Sequence, residues 1–440
     1  MADPSTSRWK RALSLLGRGI VFAALLLAAT YAVFSVVAAR QEASVKARWA
    51  KAGMDLDAFH AGLAPTEPNA TAKTVGEIAD RFGLRREERS EPWAGISSDL
   101  ALYLKGELGK PGGPVAPPPE KVAQFLSEQA PLLESLKTTL AQGPLPVWEQ
   151  KNENLWQAPI PNLLQQISLQ KILAADALAA LGRGDRASAL ADLEASWTLS
   201  QALGRRPELI SCLITIASVR YPAGVLRRMD PPPAGWADRL ASFDARKLLN
   251  RAFQFETCAM LEVGEGGGAV LYGAHPTLAR RLTARMGRPY LKLSTARAAG
   301  IQLDMIQTGN AWDPCRPGLE AKLQEILSET PKWDVIGRLA LPSLYSIWGR
   351  AFRIQMDLEL TRNVLVARDA KEKNGGRWPA DVSGLTSSLC AGGAWNYAGE
   401  GDKVSIRYSL TPDLPLPKAG STAPVLPTFF EEEAAAPTTR

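Results

Sequence analysis

Residues Gly19 to Ala39 read GIVFAALLLAATYAVFSVVAA, 21 residues without a charge, fenced by Arg18 and Arg40. A helix on the surface of a globular protein keeps a polar stripe. This run has none, because Ile20, Phe22, Leu25, Leu26, Leu27, Val33, Phe34, Val36 and Val37 are spread around every side. At 1.5 Å per residue it reaches the ~30 Å of a hydrocarbon core. Lipid offers no partner to backbone N–H and C=O groups, so such a run must be helical. The chain beyond Arg40 therefore reads as a body on a membrane tether, with residues 19–39 its contact with the bilayer.

A cleaved signal peptide is the competing reading. Arg8, Lys10 and Arg11 would serve as its basic segment and Val37-Ala38-Ala39 as its small-residue site. Signal-peptide apolar cores run to about 7–15 residues, shorter than this one, so a retained anchor is expected. Basic residues do not orient it: Arg8, Lys10, Arg11 and Arg18 precede the run, and Arg40, Lys46, Arg48 and Lys51 follow. The short tail and the long remainder favour residues 1–18 in the cytoplasm and the body outside it. Type IV pilins also place a basic leader before a long apolar helix, but they carry a Glu five residues into it, and no acid occurs here.

Composition is globular, with 46% hydrophobic and 22% charged residues. The net charge of +6 is modest, and much of it lies beside the anchor, where it suits anionic head groups. No basic run alternates with aromatics, so no nucleic-acid partner is expected. The 12 Trp residues are scattered singly, as packing anchors between helices would be.

The pattern predicts a mainly α fold: the transmembrane helix, an antiparallel α-hairpin stack and a small C-terminal β-hairpin module. A stalk and helical segment spans 40–107, with breaks near Ala52-Gly53 and at Pro65-Thr66-Glu67-Pro68 and a solvated charged stretch at Arg81 to Glu91. Residues 108–119, with Pro-Gly-Gly-Pro and Pro117-Pro118-Pro119, read as a linker. The helical domain, 120–372, begins with Glu120 to Ala141, which Pro131 bends or splits. Leu163 to Leu181 and Arg186 to Leu203 pair across a Gly182-Arg183-Gly184-Asp185 turn, with Asp185 as N-cap. Pro207 is placed in the first turn of a fourth helix, with Leu209, Cys212, Leu213, Ile216 and Ala217 on one face. Its uncharged stretch is about 11 residues, which makes it core and not a second span. Further helices are expected over Trp236 to Leu261, Thr277 to Met286, Tyr290 to Thr308, Gly318 to Ser328, and Ile336 to Ala370 with an interruption at Pro342. Residues 373–411 hold strands Ala394 to Ala398 and Lys403 to Leu410, and 412–440 reads as a disordered tail.

The Ala-rich pair around the Gly-Asp turn resembles a tetratricopeptide-like hairpin, for one hairpin only. Asn374-Gly375-Gly376-Arg377-Trp378-Pro379, Leu385 and the hairpin after them resemble the C-terminal part of type II secretion pseudopilins, with Trp where those proteins carry Tyr. Ala52-Gly53-Met54-Asp55-Leu56 and Pro65-Thr66-Glu67-Pro68-Asn69-Ala70 are similar to elements of uncharacterised bacterial proteins that have one membrane anchor and a helical body. The resemblance implies architecture and no chemistry.

Catalytic signals are sparse. The two histidines, His60 and His275, fall in the stalk region and before Pro276, where they read as incidental. Nucleophile-elbow, phosphate-loop and zinc-helix motifs are missing, so no catalytic, cofactor-binding or metal residue is assigned. Gly264-Glu265-Gly266-Gly267-Gly268 reads as an interhelical loop, and Glu256 with Glu262, like Asp357 with Glu359, point in different directions on their helices. Four cysteines lack metal spacing. Cys212 and Cys258 read as core, while Cys315 and Cys390 lie in turns and would bridge in an oxidising compartment. The expected function is a non-catalytic binding or scaffolding module of the cell envelope whose partner is another envelope protein. The alternative is a carboxylate-dependent envelope hydrolase.

Overall fold

The computed structural model describes residues 4–84, 91–110, 112–151, 155–157, 160–266, 277–334, 338, 344–385, 387–400, 403–412 and 428–432. The fold is mainly α with one small antiparallel sheet near the C-terminus. Helix α1, Pro4–Lys51, is long and apolar enough to cross a membrane. Residues 15–34 of α1 are exposed on all sides; from Ser35 onward one seam (Ser35, Ala38, Glu42, Val45, Trp49) turns into the body. The helix ends where expected, at Gly53, whose φ of 78° is the left-handed region that glycine enters without cost.

Next come α2 (Leu56–Gly62), α3 (Ala70–Arg81) and α4 (Trp93–Leu108). Asp55 caps α2 by accepting from the Ala58 amide at 3.0 Å. Asn69 caps α3 at the Ala72 amide (2.9 Å) while its amide donates to Leu145 O (2.9 Å). The Pro-x-x-Pro-Asn-Ala element thus clamps two segments. Within Arg81 to Glu91, Phe82 and Leu84 are buried core, contrary to the expectation of a solvated stretch; 85–90 lie outside the described residues.

The Pro/Gly segment is not a free linker. Arg228 reaches across to donate to Gly112 O and, at 2.8 Å, to Pro114 O, and pairs with Glu107 at 3.3 Å. One continuous core joins Trp49, Phe82 and Leu100 on its near side to Phe125, Leu173 and Leu226 beyond it. Proline blocks helix and sheet pairing but does not stop a segment from being tied down by side chains.

Pro131 splits the predicted helix into α5 (Glu120–Glu128) and α6 (Ala130–Gln142). The hairpin of α7 (Leu163–Gly182) and α8 (Arg186–Gly204) follows, with Asp185 accepting from the Ser188 amide at 3.0 Å. Then come α9 (Leu209–Ser218), α10 (Arg220–Leu226), α11 (Trp236–Ala241) and α12 (Ala245–Gly266). Pro207 lies before α9 rather than in its first turn, because the flanking Arg206 and Glu208 pair with each other in the interior. The apolar run Leu209–Leu226 is 67% buried inside the body and serves as core. The single helix expected from Trp236 to Leu261 breaks at Ser242–Asp244, where Asp244 accepts from the Lys247 amide at 2.9 Å.

Helix α13, Leu278–Ala311, is continuous where two helices were expected, and it contains Pro289. Proline removes the hydrogen bond to the carbonyl four residues back, which is Arg285 O. Tyr31 of α1 donates its hydroxyl to that oxygen, at a long 3.4 Å. The two helices run parallel, tied again by Glu42–Lys292 (2.7 Å) and by Trp49 Nε1 to Ala299 O (3.0 Å). Helix α14 (Leu319–Ser328) and α15 (Leu344–Lys373) complete the helical body; the interruption expected at Pro342 lies outside the described residues.

The sheet has three strands, not two: β1 (Trp395–Glu400), β2 (Lys403–Tyr408) and β3 (Thr428–Glu432) in that order. Part of the tail expected to be disordered is therefore an edge strand. Phe429, opposite Ile406, is buried beneath the Arg368 guanidinium, which repays ordering it. Phe352, Met356, Leu360 and Val364 of α15 meet Trp378, Trp395, Val404 and Phe429 in a second core, so the module caps the end of the helical body.

Candidate functional site

The residues singled out in the sequence are occupied structurally. His60 lies 2.8 Å from Glu262, and Glu262 also accepts from the Leu155 amide at 2.8 Å. Glu256 caps α9 through the Leu209 amide at 3.0 Å. Asp357 pairs with Arg227 at 2.8 Å, whereas Glu359, on another face of α15, accepts from Trp395 Nε1 at 3.2 Å. Gly264 is not in a loop but in the last turns of α12, where a Cβ would come within 2.2 Å of Thr295 Oγ1. Gly267, Gly268 and His275 lie outside the described residues.

Cys315 and Cys390 are joined in a disulfide, with their Cα atoms 5.8 Å apart. It fastens the turn after α13 to the β module. Asp313 is the third member of this cluster, but it accepts from the Cys315 amide at 3.0 Å, and the bonded sulfurs leave no thiolate for a metal. Cys212 and Cys258 are buried thiols, each pushed up to about 12 by burial.

Two features escaped the sequence. The first is a carboxylate pair inside the hairpin stack. Lys137 of α6 points between α7 and α8, 3.5 Å from Asp176 and 3.4 Å from Asp192. Asp192 is fully buried, with Lys137 and Asp176 as the polar groups against its carboxyl. Burial, and next the neighbouring Asp176, push its carboxyl up to about 9, so it holds a proton at neutral pH. Lys137 is raised instead, because its carboxyl neighbours outweigh the effect of burial. Asp176 stands at the edge of a cavity of about 480 Å³, otherwise lined by residues such as Val115, Pro117, Ala123 and Leu126. The available signal was an acid inside each of two Ala/Leu-rich faces, and a Lys directly after Leu136.

The second is an open groove of about 620 Å³ between α8, α9 and α12. Its floor is Trp197, Val219, Phe243 and Leu248, and Trp197 is braced edge-on by Trp236 at 5.8 Å. Arg205, Lys247 and Arg251 line it against one acid, Asp244. Burial lowers Arg251, with Glu208 opposing, yet a guanidinium remains charged. An apolar floor under a cationic rim suits an apolar segment that carries acidic residues. Comparison with protein-family models, with curated proteins and with solved structures returns no match.

Proposed function

We propose that this chain is a single-pass envelope protein whose helical body binds another envelope protein outside the cytoplasm. The groove between α8, α9 and α12 carries this reading, because it combines a fixed aromatic floor, three cations and open access. Such grooves in stacked hairpins receive extended or helical partner segments. The Cys315–Cys390 disulfide supports an oxidising compartment for the body. A photo-crosslinking residue at Gln201, on the groove wall, should capture a discrete partner in intact cells. The double variant Arg205→Glu/Lys247→Glu should abolish that adduct while the body stays folded. An adduct that survives both reversals moves the binding face elsewhere.

The hydrolase alternative has one observation in its favour, the Asp176–Asp192 pair around Lys137, since two neighbouring acids, one of them raised by burial, are what acid–base chemistry uses. Against it, Asp192 has no exposed surface. Purified body that turns over envelope polymers and loses this in Asp192→Asn would favour the enzyme.

A further inference from the structure

We propose that the cleft between α4, α7 and the start of α10 binds a phosphate monoester that carries an apolar tail. Lys105, Lys171 and Arg220 surround the phosphate, and Leu102, Leu164 and Ile167 run along the tail.

The cleft holds about 510 Å³, within the usual range of small-ligand sites. Helix periodicity builds it. Ala101, Leu104, Lys105 and Leu108 share one face of α4, and Leu164, Ile167 and Lys171 share one face of α7. Ala217 of α9 and Tyr221 of α10 line it as well. This cleft is separate from the groove between α8, α9 and α12. Thr215 lines that groove and Ala217 lines the cleft, and residues two apart on a helix point to opposite sides.

Charge decides what enters. Among the described residues, four cations and one acid line the cleft. The acid, Asp357, is taken by Arg227 at 2.8 Å, and Arg227 also donates to Thr361 at 2.6 Å. Lys105 and Arg220 are exposed and have no acidic partner among the described residues. Lys171 lines the same cleft, half-buried. The Arg220 guanidinium lies over the Tyr221 ring, 5.1 Å from its centre, which steadies it there. Such an excess of positive charge suits a dianion. A phosphate monoester carries nearly two charges at neutral pH and offers three oxygens to lysine and arginine donors, whereas a carboxylate carries one charge.

Polarity adds the tail. Leu104, Leu108, Ile167 and Ala217 make the surface between the charges apolar. Leu102, one turn before Lys105, keeps 71% of its surface in the open, and Leu164, one turn before Ile167, keeps 62%. Inorganic phosphate would leave these side chains in water, and an alkyl chain on the ester oxygen covers them.

The test titrates the full chain in phosphatidylcholine nanodiscs with hexyl phosphate, inorganic phosphate and hexanol, by calorimetry against empty discs. Hexyl phosphate should bind saturably, inorganic phosphate about 10-fold more weakly, and hexanol without a measurable signal. Lys105→Glu/Arg220→Glu should weaken hexyl phosphate binding by at least about 10-fold, with an unchanged melting temperature because both side chains are exposed. Leu102→Ser/Leu164→Ser should narrow the gap between hexyl phosphate and inorganic phosphate. Arg205→Glu/Lys247→Glu, in the partner groove, should bind hexyl phosphate as the natural chain does; a loss there would move the ligand to the groove and overturn the cleft. Discs containing phosphatidic acid distinguish the source, since competition with hexyl phosphate marks a lipid ligand and undiminished binding a soluble one. Unchanged binding in Lys105→Glu/Arg220→Glu overturns the site. Inorganic phosphate binding as tightly as hexyl phosphate overturns the tail, and hexanol doing so overturns the phosphate.

Discussion

Asp192 is the residue whose environment departs furthest from its type. An unfolded Asp releases its proton near pH 3.9, whereas this one keeps it to about 9. Folding therefore takes up a proton between those values. The stability that this group allows is intact below about pH 4 and lost as the pH rises through 9. Asparagine copies the protonated acid, so Asp192→Asn should be more stable than the natural chain by about 4 kcal/mol at pH 7. The gap should close toward pH 4. Urea titrations at several pH values check this, and a gap that does not vary with pH would refute the retained proton. Gly264 makes a steric counterpart: with Thr295 Oγ1 within 2.2 Å of its missing Cβ, α12 and α13 touch there. Gly264→Ala should cost about 1–3 kcal/mol.

Among elements, the join between α15 and the β module rests on unlike forces. Trp378 and Trp395 pack with the apolar face of α15, and Glu359 anchors Trp395 through its indole N–H. The disulfide adds a covalent tie across 75 residues. Replacing Cys315 and Cys390 by Ser should cost about 2–4 kcal/mol, chiefly by freeing the unfolded chain. Hydrogen exchange should then quicken over β1 and β2 while the α7–α8 hairpin keeps its protection. Uniform acceleration would mean that the module and the helices unfold as one unit.

For the whole molecule, the seam between α1 and α13 matters most, because it merges the apolar helix with the body. Trp49, with no exposed surface and its indole N–H on Ala299 O, closes the upper end of that seam. A cleavage after Ala39 would leave only the last 12 residues of α1 (40–51) to hold it. The reading of a retained anchor with the body outside predicts that protease added to spheroplasts degrades the body. It also predicts a mature N-terminus before Arg18. Full protection would invert the topology, and an N-terminus at Arg40 would make the run a signal peptide.

The apolar helix, the α-hairpin pairing, the Asp185 cap, the break at Gly53 and the β1–β2 hairpin were legible in the chain alone. Each is a local matter, decided by periodicity, capping or a glycine's freedom within a few residues of chain. The remaining features depend on contacts between distant segments. Pro289 stays inside a helix, and a tyrosine from α1 approaches the carbonyl it leaves free at 3.4 Å. The Pro/Gly segment is held because an arginine 114 residues further on reaches its carbonyl. Phe429 forms a strand in a stretch of disorder-like composition because a buried slot beside Ile406 receives it. Likewise Lys137, Asp176 and Asp192 form a cluster only once three helices converge, and Trp197, Arg205 and Lys247 share a groove only across two. Burial and charge at such places depend on partners distant in the chain, which composition and spacing do not encode.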